Sequence, residues 1–439
     1  MGTGRANNPG GRRHEQDKGH TMERVPVNID ETSEFLRDDP VPISRRGFLA
    51  GTLAGGFGLL APTLNREAVA AIMAGTNPSE VRGVGVPKGQ VRLAFNENPL
   101  GASPRAVEAV FEHLSWMNRY DYSSTLLKEI SKLHDLEIEQ FSRFDFKALG
   151  DRHGIMLGVG TTELLQLLAL AGLMPNGEII EAMPSYGQIT RVGDELRDAG
   201  YPVTASRAPV RSDGNHDLDL MRQMITDRTQ LVVICNPHNP TGSLLPRDEV
   251  LRFIDEIPDQ IMVAVDEVYI QFVRDAGYTD LIEVAKEREN VTVLRTFSKA
   301  HGLGGMRVGY AIGHQKLMKR LAPFSMGLLG RNVLSVHAAQ AALHDEAHIR
   351  RSQQAVWDGN DYLTVELQKL GLSVLPSHTN FLWVDFGYKT SDVVRELWRR
   401  RVMVRGGAGG WGSPNHIRIS TGSKVENQAF IWALQQVLA

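Results

Sequence analysis

Residues 291–313 read VTVLRTFSKAHGLGGMRVGYAIG, two short apolar runs on either side of a lysine and a glycine-rich loop. The runs at 291–297 and 308–313 have the length and apolar character of buried β-strands. Lys299 therefore follows a buried strand, where partial desolvation lowers the pKa of its amine and frees that amine to form a Schiff base. A surface turn with basic flanks is the alternative for this segment taken alone.

The same alternation extends toward the N-terminus. Further strand-like runs precede the segment, with stretches of helical length between them: IMLGVG (155–160), GEIIEAM (177–183), LVVICN (231–236) and IMVAVDE (261–267). Continuous apolar strands separated by helices are typical of a mainly parallel sheet covered by helices on both faces. We therefore predict an α/β fold with its functional site at the carboxyl ends of the strands.

The chain divides into several predicted segments. After about residue 340 a long helical stretch precedes short strands, which is the pattern of a smaller α+β domain. We pair this domain with the sequence before about residue 120, so the small domain is discontinuous. The predicted segments are a disordered N-terminal extension (1–43), an export signal (44–70), an N-terminal arm with part of the small domain (71–120), a large domain (121–335) and a small C-terminal domain (336–439).

An export motif precedes the globular region. Ser44-Arg45-Arg46-Gly47-Phe48-Leu49 opens a weakly hydrophobic, glycine-rich stretch, and Ala68-Val69-Ala70 forms a small-residue cleavage pattern after it. This order resembles a twin-arginine signal and predicts a periplasmic or extracellular protein. The stretch at 47–60 is too short and too rich in glycine for a stable membrane span. The alternative is a basic tail without function, in which case the protein stays in the cytoplasm.

Composition excludes several kinds of partner and site. The formal net charge is −3, which gives no electrostatic basis for binding nucleic acid or an anionic membrane. Cys235 is the single cysteine, so neither an intramolecular disulfide nor a cysteine-based metal site can form. It lies in an apolar run and is expected to be a buried, inert thiol. The histidines are scattered, and we predict no metal site.

Polar side chains follow two of the other predicted strands. Asp266 lies near the end of the run at 261–267, and a carboxylate buried there needs a partner such as a protonated ring nitrogen. Tyr269, three residues further on, and Asn239, within NPHNPTG (236–242), can reach an oxygen on the same ring. The alternatives are a helix cap or an ion pair for the aspartate and a rigid structural turn for NPHNPTG.

Two further segments supply a phosphate site and a stacking face. Residues 158–163 (GVGTTE) open a predicted helix, so backbone N–H groups at Thr161 and Thr162 can bind a phosphate. Tyr186 follows the run at 177–183 and can stack on an aromatic ring. Capping of the helix by either threonine, and burial of the tyrosine in the core, are the alternatives.

Together these groups are the parts that pyridoxal phosphate (PLP) requires. Lys299 supplies the amine, and Asp266 pairs with the ring nitrogen. Thr296, Ser298 and Arg307 add two hydroxyls and a fixed positive charge for the phosphate. Because the groups follow successive predicted strands, a PLP site explains their arrangement better than separate structural roles do.

Residues 90–439 resemble the fold-type I aminotransferases of classes I and II, and within them the histidinol-phosphate aminotransferase group. The most specific matching strings are NENPLG (96–101), NPHNPTG (236–242), DEVY (266–269), SKAHGLGGMRVGY (298–310), TNFLWV (379–384) and IRIS (417–420). The resemblance implies a large PLP-binding domain with a mainly parallel sheet, a smaller α+β domain, and a homodimer with its active site at the interface.

The resemblance also implies roles for individual residues. Lys299 forms the Schiff base and moves the proton in catalysis, with Asp266 at the pyridinium nitrogen and Tyr269 beside them. The other cofactor contacts are implied at the ring hydroxyl (Asn239, Tyr269), the ring face (Tyr186) and the phosphate (Thr161, Thr162, Thr296, Ser298, Arg307 and, from the neighbouring subunit, Tyr120). Substrate contacts are implied at Arg418 for an α-carboxylate, at Arg405 as a second arginine, and at Asn98 in the segment that closes over the substrate.

We therefore expect a PLP-dependent aminotransferase that moves an amino group between an L-amino acid, or an amine similar to histidinol phosphate, and a 2-oxo acid. Another PLP reaction (decarboxylation, elimination or oxidation) is the first alternative, and a non-catalytic PLP-binding module is the second. The chain has Asp121-Tyr122 where proline is usual in the family and His301 where phenylalanine is common. Together with the export signal, these departures predict a substrate other than that of histidine biosynthesis.

Overall fold

The computed structural model describes residues 77–121, 123–136, 154–275 and 277–439. The predicted disordered extension (1–43), the export signal (44–70) and Tyr122 lie outside these residues. Within the described ranges, no helix is both long and apolar enough to cross a membrane.

The strands and helices follow the predicted alternation. The strands are β1 (Val91–Arg92), β2 (Ile155–Val159), β3 (Glu178–Met183), β4 (Thr204–Pro209), β5 (Thr229–Cys235), β6 (Met262–Asp266), β7 (Val291–Thr296), β8 (Val308–Gly313), β9 (Ser373–Val374), β10 (Phe381–Asp385), β11 (Val402–Met403), β12 (Arg405–Gly406) and β13 (His416–Ser420). The α-helices are α1 (Pro104–Glu112), α2 (Thr125–Leu133), α3 (Gly160–Leu173), α4 (Gln188–Asp198), α5 (Leu218–Gln223), α6 (Arg247–Glu256), α7 (Ile282–Glu287), α8 (Gln315–Leu321), α9 (Val333–Leu343), α10 (Glu346–Lys369), α11 (Ser391–Arg399) and α12 (Lys424–Leu438). Short 3-10 turns lie at Pro78–Glu80, Leu114–Trp116, Ile270–Phe272, Gly304–Met306, Ala322–Phe324 and Gly327–Gly330.

Seven strands form the central sheet, in the spatial order β2-β8-β7-β6-β5-β3-β4. The neighbours from β4 through β3, β5 and β6 to β7 are parallel, and β8 runs antiparallel to both β7 and β2. This arrangement confirms the predicted α/β fold with a mainly parallel sheet. Because parallel strands end at the same edge of a sheet, the segments that follow β5, β6 and β7 meet there.

Both faces of this sheet are buried. Successive side chains of a strand point to opposite faces, and each face packs against its own apolar core. On β5 and β6 one set of side chains enters one apolar core and the intervening set enters another: Val232, Ile234, Val263 and Val265 in the first, Leu231, Val233, Met262 and Ala264 in the second. Helices α1, α2, α5, α6, α7 and α9 contribute to the first core, and α3, α4 and α8 to the second. A strand buried on both faces consists of a continuous apolar run, which is the pattern visible in the sequence.

A second, antiparallel sheet has the order β12-β13-β10-β9. Its core contains Phe430 of α12, Leu397 of α11 and Val91 of β1. β1 pairs in parallel with β11, with Val91 opposite Val402, so an early segment of the chain joins the C-terminal elements. The domain boundaries after residues 120 and 335 stay a prediction.

Local sequence signals define where two helices begin, α12 beside the second sheet and α1 in the first core of the central sheet. Ser423 Oγ accepts from Glu426 N, while the Glu426 carboxylate accepts from Ser423 N at 2.9 Å. This capping box satisfies two N–H groups and starts α12 directly after β13. Pro104 lies in the first turn of α1, where its missing N–H costs no helical hydrogen bond, and Ser103 caps that helix.

Candidate active site

Three strand ends bring most of the predicted residues to one edge of the central sheet. Cys235 of β5 lies opposite Asp266 of β6, and Asp266 lies opposite Leu294 of β7. The segments that bear Asn239, Asp266 and Lys299 are therefore neighbours in space as a consequence of strand register.

Lys299 is partly buried, and its amine contacts the main chain of the N-terminal segment. Nζ donates to the carbonyl oxygen of Asn96 at 3.1 Å and lies 3.4 Å from that of Phe95. It also lies 5.6 Å from the centroid of the Tyr269 ring. Burial, reinforced by the positive charge of Arg418, lowers the pKa of Lys299 to about 8. A substantial fraction of this amine is therefore neutral and nucleophilic near physiological pH.

Asp266 is a buried carboxylate with an unused acceptor. Its Oδ1 atom has no hydrogen-bond partner in the part of the chain that the structure describes. Burial raises the pKa of Asp266 to about 7, because an ionised carboxylate without a partner is costly in the interior. A cationic N–H placed at Oδ1 would remove this cost. The protonated ring nitrogen of PLP is such a group, so this residue fits the cofactor.

Tyr269 is hydrogen-bonded to Asn96, and Asn239 is hydrogen-bonded to Arg418. The Tyr269 hydroxyl accepts from Asn96 Nδ2 at 2.9 Å, and burial raises the pKa of this hydroxyl above its usual range. Asn239 Oδ1 accepts from Arg418 Nη1 at 2.7 Å. Since the Asn239 oxygen is engaged, its amide nitrogen is the atom that can donate to a ring oxygen of the cofactor. The tyrosine hydroxyl can donate to the same oxygen.

The start of α3 lies beside Arg307, an arrangement that can bind a phosphate. Gly160 has φ +66° and begins the helix, and Arg307 Nη2 donates to Thr162 Oγ1 at 3.2 Å. A Cβ atom at Gly160 would collide with the Arg307 guanidinium. A helix N-terminus beside an arginine attracts anions. Ser298 N donates to Thr296 Oγ1 at 3.1 Å on the adjoining strand end.

Arg418, on β13 of the second sheet, is buried. Its positive charge acts on Lys299 and lowers the pKa of that amine. Nη1 donates to Asn239, and Nη2 donates to the carbonyl oxygen of Ala94 at 2.7 Å. Its Nε atom has no hydrogen-bond partner among the described residues. Arg405 of β12 lies opposite Arg418 of β13, and directly opposed residues of an antiparallel pair share one face. The two arginines can therefore bind one anionic group from the same side.

Tyr186 and Tyr120 both have large exposed surfaces. Tyr186 lies on the loop between β3 and α4, and 47 % of its side chain is exposed. Tyr120 is 67 % exposed, close in sequence to exposed Trp116 and Met117. Neither position tests the predicted roles, which are stacking on the ring and a contact to the neighbouring subunit's cofactor.

Asn98 contacts the main chain around the lysine. Its Nδ2 atom lies within hydrogen-bond distance of Lys299 O (3.1 Å), Ala300 O (2.9 Å) and Ser352 Oγ (2.9 Å). These contacts favour a role in holding the lysine loop. The substrate contact predicted for Asn98 stays a prediction.

His301 is likewise buried behind the lysine. Its ring centroid lies 4.9 Å from that of Phe297, and burial lowers the pKa of His301 to about 4. The ring is therefore neutral at physiological pH. This departure from the family pattern affects packing behind the Lys299 loop.

Three residues that the sequence analysis did not single out join the site. Asn96, with φ +55°, links Lys299, Tyr269 and the second sheet. It lies in the NENPLG string, which was the available signal. Glu181, buried on β3, has a pKa raised by burial and accepts from Thr190. Trp411 lies in a glycine-rich loop whose sequence gave no signal.

Comparisons with known proteins agree with this geometry. The family model "Aminotransferase class I and II" matches residues 88–434. The chain is 35% identical over 358 residues to a histidinol-phosphate aminotransferase of Moorella thermoacetica, covering 80% of this chain and 86% of that protein. It is 34% identical over 353 residues to histidinol-phosphate aminotransferase 1 of Idiomarina loihiensis, covering 79% and 89%.

Solved structures show the same fold. A putative histidinol-phosphate aminotransferase from Erwinia carotovora atroseptica matches with a TM-score of 0.70 and 25% identity, covering 79% of this chain and 96% of that one. The Sinorhizobium meliloti histidinol-phosphate aminotransferase, solved with pyridoxal-5'-phosphate, matches with a TM-score of 0.69 and 24% identity, covering 86% and 95%.

Proposed function

Since this chain belongs to the class I and II aminotransferases and is a PLP-dependent enzyme of that kind, we propose that its amino donor carries an anionic group that Arg418 and Arg405 bind. The donor is an L-amino acid or a phosphorylated amino alcohol similar to histidinol phosphate, and the acceptor is a 2-oxo acid. The observation that carries this proposal is the opposed pair of arginines, of which Arg418 is close enough to Lys299 to lower the pKa of its amine. Lyase, decarboxylase and oxidase chemistry and a non-catalytic module are not favoured, because the family model is that of aminotransferases and the similar relatives are named as aminotransferases.

The residues divide the work between binding and proton transfer. When bound, PLP supplies a ring that accepts electrons from the carbon next to the substrate amine. Lys299, with a pKa of about 8, can take and return a proton at that carbon near neutral pH. Asp266 Oδ1 can accept the ring N–H, and Arg307 with the start of α3 can hold the phosphate.

Arginine suits the anionic end of the donor for a geometric reason. Its planar guanidinium presents paired N–H groups that match a carboxylate or a phosphate. Burial lowers the pKa of Arg418 to about 10, so the group stays charged at neutral pH. The curated relatives are named for histidinol phosphate, which has a phosphate and no carboxylate, and both kinds of donor therefore belong in the test.

A spectroscopic titration tests the proposed function. Single amino donors, including histidinol phosphate, glutamate and aromatic amino acids, are added to the purified PLP-loaded enzyme without a 2-oxo acid. We expect at least one donor to abolish the visible absorbance band of the bound cofactor, and a 2-oxo acid to restore it. Lys299→Ala should lose the borohydride-reducible bond to PLP. A wild-type band that no donor changes would refute the proposal.

We also propose that the enzyme is a homodimer. Trp116 and Met117 are 49 % and 69 % exposed next to Tyr120, and large exposed apolar side chains in one segment are typical of an interface. Met117→Asp should shift the sedimentation coefficient toward that of a monomer. Val365→Asp, at an exposed apolar position on α10, is the control and should not. A wild-type protein that sediments as a monomer would contradict this proposal.

Export by the twin-arginine route is a further proposal, and it rests on residues 44–70 alone. The double substitution Arg45→Lys and Arg46→Lys should retain the full-length chain in the cytoplasm, as measured by cell fractionation. Arg66→Lys is the control in the same segment. Equal export of both variants would show that the arginine pair is not used. A wild-type chain that stays in the cytoplasm would contradict the proposal of export.

A further inference from the structure

Trp411 is a buried aromatic side chain in the loop between β12 and β13. Only 8% of its surface is exposed. The loop doubles back on itself, since Ser413 N donates to Gly407 O at 2.9 Å and Gly407 N donates to His416 O at 2.8 Å. Gly412 has φ +62°, a conformation that favours glycine. The tryptophan is therefore held at a defined place next to the opposed arginines of the two strands.

The indole ring contacts both arginines. The guanidinium carbon of Arg405 lies 5.3 Å from the ring centroid, and that of Arg418 lies 5.0 Å away. Two like charges on facing strand positions repel each other, and the face of an indole ring attracts each of them. Phe381 adds a second ring at 5.3 Å from Arg418. These contacts restrict where the two guanidinium groups can point when no anion is bound.

A hydrogen bond joins the same ring to the central sheet. Trp411 Nε1 donates to Ser185 O at 2.6 Å, and Ser185 directly precedes Tyr186, the residue predicted to stack on the cofactor. Trp383 supports the ring from the side, with centroids 5.4 Å apart and planes at 75°. Trp411 thus connects the arginines of the second sheet to the Tyr186 loop that follows β3.

We propose that Trp411 is a positioning residue that sets the direction of the Arg405 and Arg418 guanidinium groups and their distance from the Tyr186 loop. This inference rests on the proposed function, in which the two arginines bind the anionic end of the donor. Trp411 selects donors whose anionic group lies at one fixed distance from the reacting amine. It acts through the arginines and takes no part in proton transfer at Lys299.

Three variants test the inference in the PLP-loaded enzyme. Trp411→Leu removes the ring and its hydrogen bond, while Trp411→Phe keeps a ring and removes only the indole N–H. Trp398→Phe is the matched control. Trp398 lies on α11, and its Nε1 atom donates to Val404 O at 3.1 Å. The control variant therefore also loses one indole-to-carbonyl hydrogen bond in the same region of the chain. Each variant is measured for KM and kcat with the best donor, and for its visible absorbance band.

The expected pattern separates positioning from catalysis. Trp411→Leu should raise KM by about tenfold or more and change kcat by less than about threefold, with an unchanged absorbance band. Trp411→Phe should raise KM by about threefold, and Trp398→Phe should leave KM unchanged. A loss of kcat at unchanged KM, or a KM for Trp411→Leu equal to that of Trp398→Phe, would overturn the inference. If Trp411→Leu fails to fold, Trp411→Phe decides, and a wild-type KM in that variant overturns the inference.

Anion binding keeps this test separate from the proposed function. Calorimetric titration of the PLP-loaded enzyme with inorganic phosphate, and separately with succinate, reports on the arginines without any turnover. Both Trp411 variants should bind the preferred anion more weakly than Trp398→Phe does. If no donor changes the absorbance band of the wild type, the proposed function fails. The positioning of the two arginines by Trp411 is then still decided by anion binding, which should be weaker in both Trp411 variants than in Trp398→Phe. If the Trp411 variants bind the anion as the wild type does, the role of Trp411 fails.

Discussion

Asp266 and Lys299 are shifted in opposite directions by the same cause. Burial raises the pKa of the carboxyl group to about 7 and lowers that of the amine to about 8. Desolvation disfavours whichever form is charged, so an acid and a base in one dry site approach each other in pKa. Such pKa shifts are typical of functional sites, where a bound ligand can supply the partner that a buried ionisable group lacks.

Replacement of Asp266 by asparagine should stabilise the cofactor-free protein at high pH. The ordinary pKa of this group is 3.8, and in the folded state it is about 7. Between these values the folded protein binds more protons than the unfolded chain does, so stability falls as pH rises through this window. Asp266→Asn does not titrate there, and its free energy of unfolding at about pH 8 should exceed that of the wild type by up to about 4 kcal/mol.

Urea unfolding at about pH 5 and about pH 8 measures this difference, which should be larger at the higher pH. Asp259→Asn, at an exposed aspartate, should show no such dependence. In the PLP-loaded enzyme the order should reverse, because the asparagine variant binds the cofactor more weakly. A gain in stability that is the same at both pH values would contradict the assignment of Asp266 as a buried carboxylate whose Oδ1 atom has no partner among the described residues.

Gly160, the first residue of α3, lies at the proposed phosphate site and has a conformation and surroundings that favour glycine. Gly160 has φ +66°, and a side chain there would also meet the Arg307 guanidinium. Gly160→Ala should therefore weaken PLP binding by about tenfold or more, since it displaces the arginine from the helix N-terminus. Fluorescence titration of the cofactor-free protein with PLP measures this change.

Gly200→Ala is a matched control for that substitution. Gly200 also has a positive φ, +94°, but a Cβ atom added there would have no neighbouring atom within 4 Å. Both variants should lose about 1 kcal/mol of stability from backbone strain alone. Only Gly160→Ala should lose PLP affinity, and equal affinities in the two variants would show that contact with Arg307 does not matter.

Asn98 joins the N-terminal segment to the Lys299 loop by hydrogen bonds. Asn98 Nδ2 lies near the carbonyl oxygens of Lys299 and Ala300, and the Lys299 oxygen also accepts from Gly302 N at 3.0 Å. Removing Asn98 therefore takes a donor mainly from the Ala300 oxygen. Asn98→Ala should destabilise the protein by about 1–3 kcal/mol and slow its capture of PLP by Lys299. Asn290→Ala, which removes a buried amide from Ile261 O, should destabilise it similarly and leave PLP capture unchanged. Equal capture rates in both variants would assign Asn98 a purely structural role.

The strands most readily predicted were those buried on both faces. The run predicted at 308–313 coincides with β8, and the run at 291–297 exceeds β7 by one residue. β4 was not predicted, because it lies at the edge of the sheet and most of its residues are partly exposed. Its sequence, TASRAP, has no apolar run. Continuous apolar runs thus identified six of the seven strands, including the edge strand β2, and missed the other edge strand, β4.

Candidate site residues could be predicted where a reactive or polar side chain lies at the end of an apolar strand. Residues whose contacts form only between the two sheets could not. Lys299, Asp266 and Asn239 each follow an apolar run, so position along the chain was a sufficient signal. Trp411 contacts Ser185 across 226 positions, and only the folded chain brings them together. Asn96 is a similar case, since its partners Tyr269 and Ser420 lie far away in sequence.

The proposed dimer predicts that two inactive variants can together form an intact cofactor site. If Tyr120 completes the cofactor site of the partner, a Lys299→Ala chain still donates an intact tyrosine to its neighbour. A Tyr120→Ala chain has an intact lysine but lacks the tyrosine from an identical partner. In a mixed dimer of these chains, one site therefore has both residues. Unfolding and refolding the two variants together should restore wild-type PLP affinity to part of the lysine-bearing sites.

Fluorescence titration with PLP resolves the two classes of site in such a mixture. When each chain is equally abundant and pairing is random, the restored fraction should be about half of the lysine-bearing sites. Replacing the Lys299→Ala chain by a Lys299→Ala, Tyr120→Ala double variant is the control, because it supplies no tyrosine and should restore none. If the first mixture binds PLP no better than the control does, Tyr120 serves its own subunit or none.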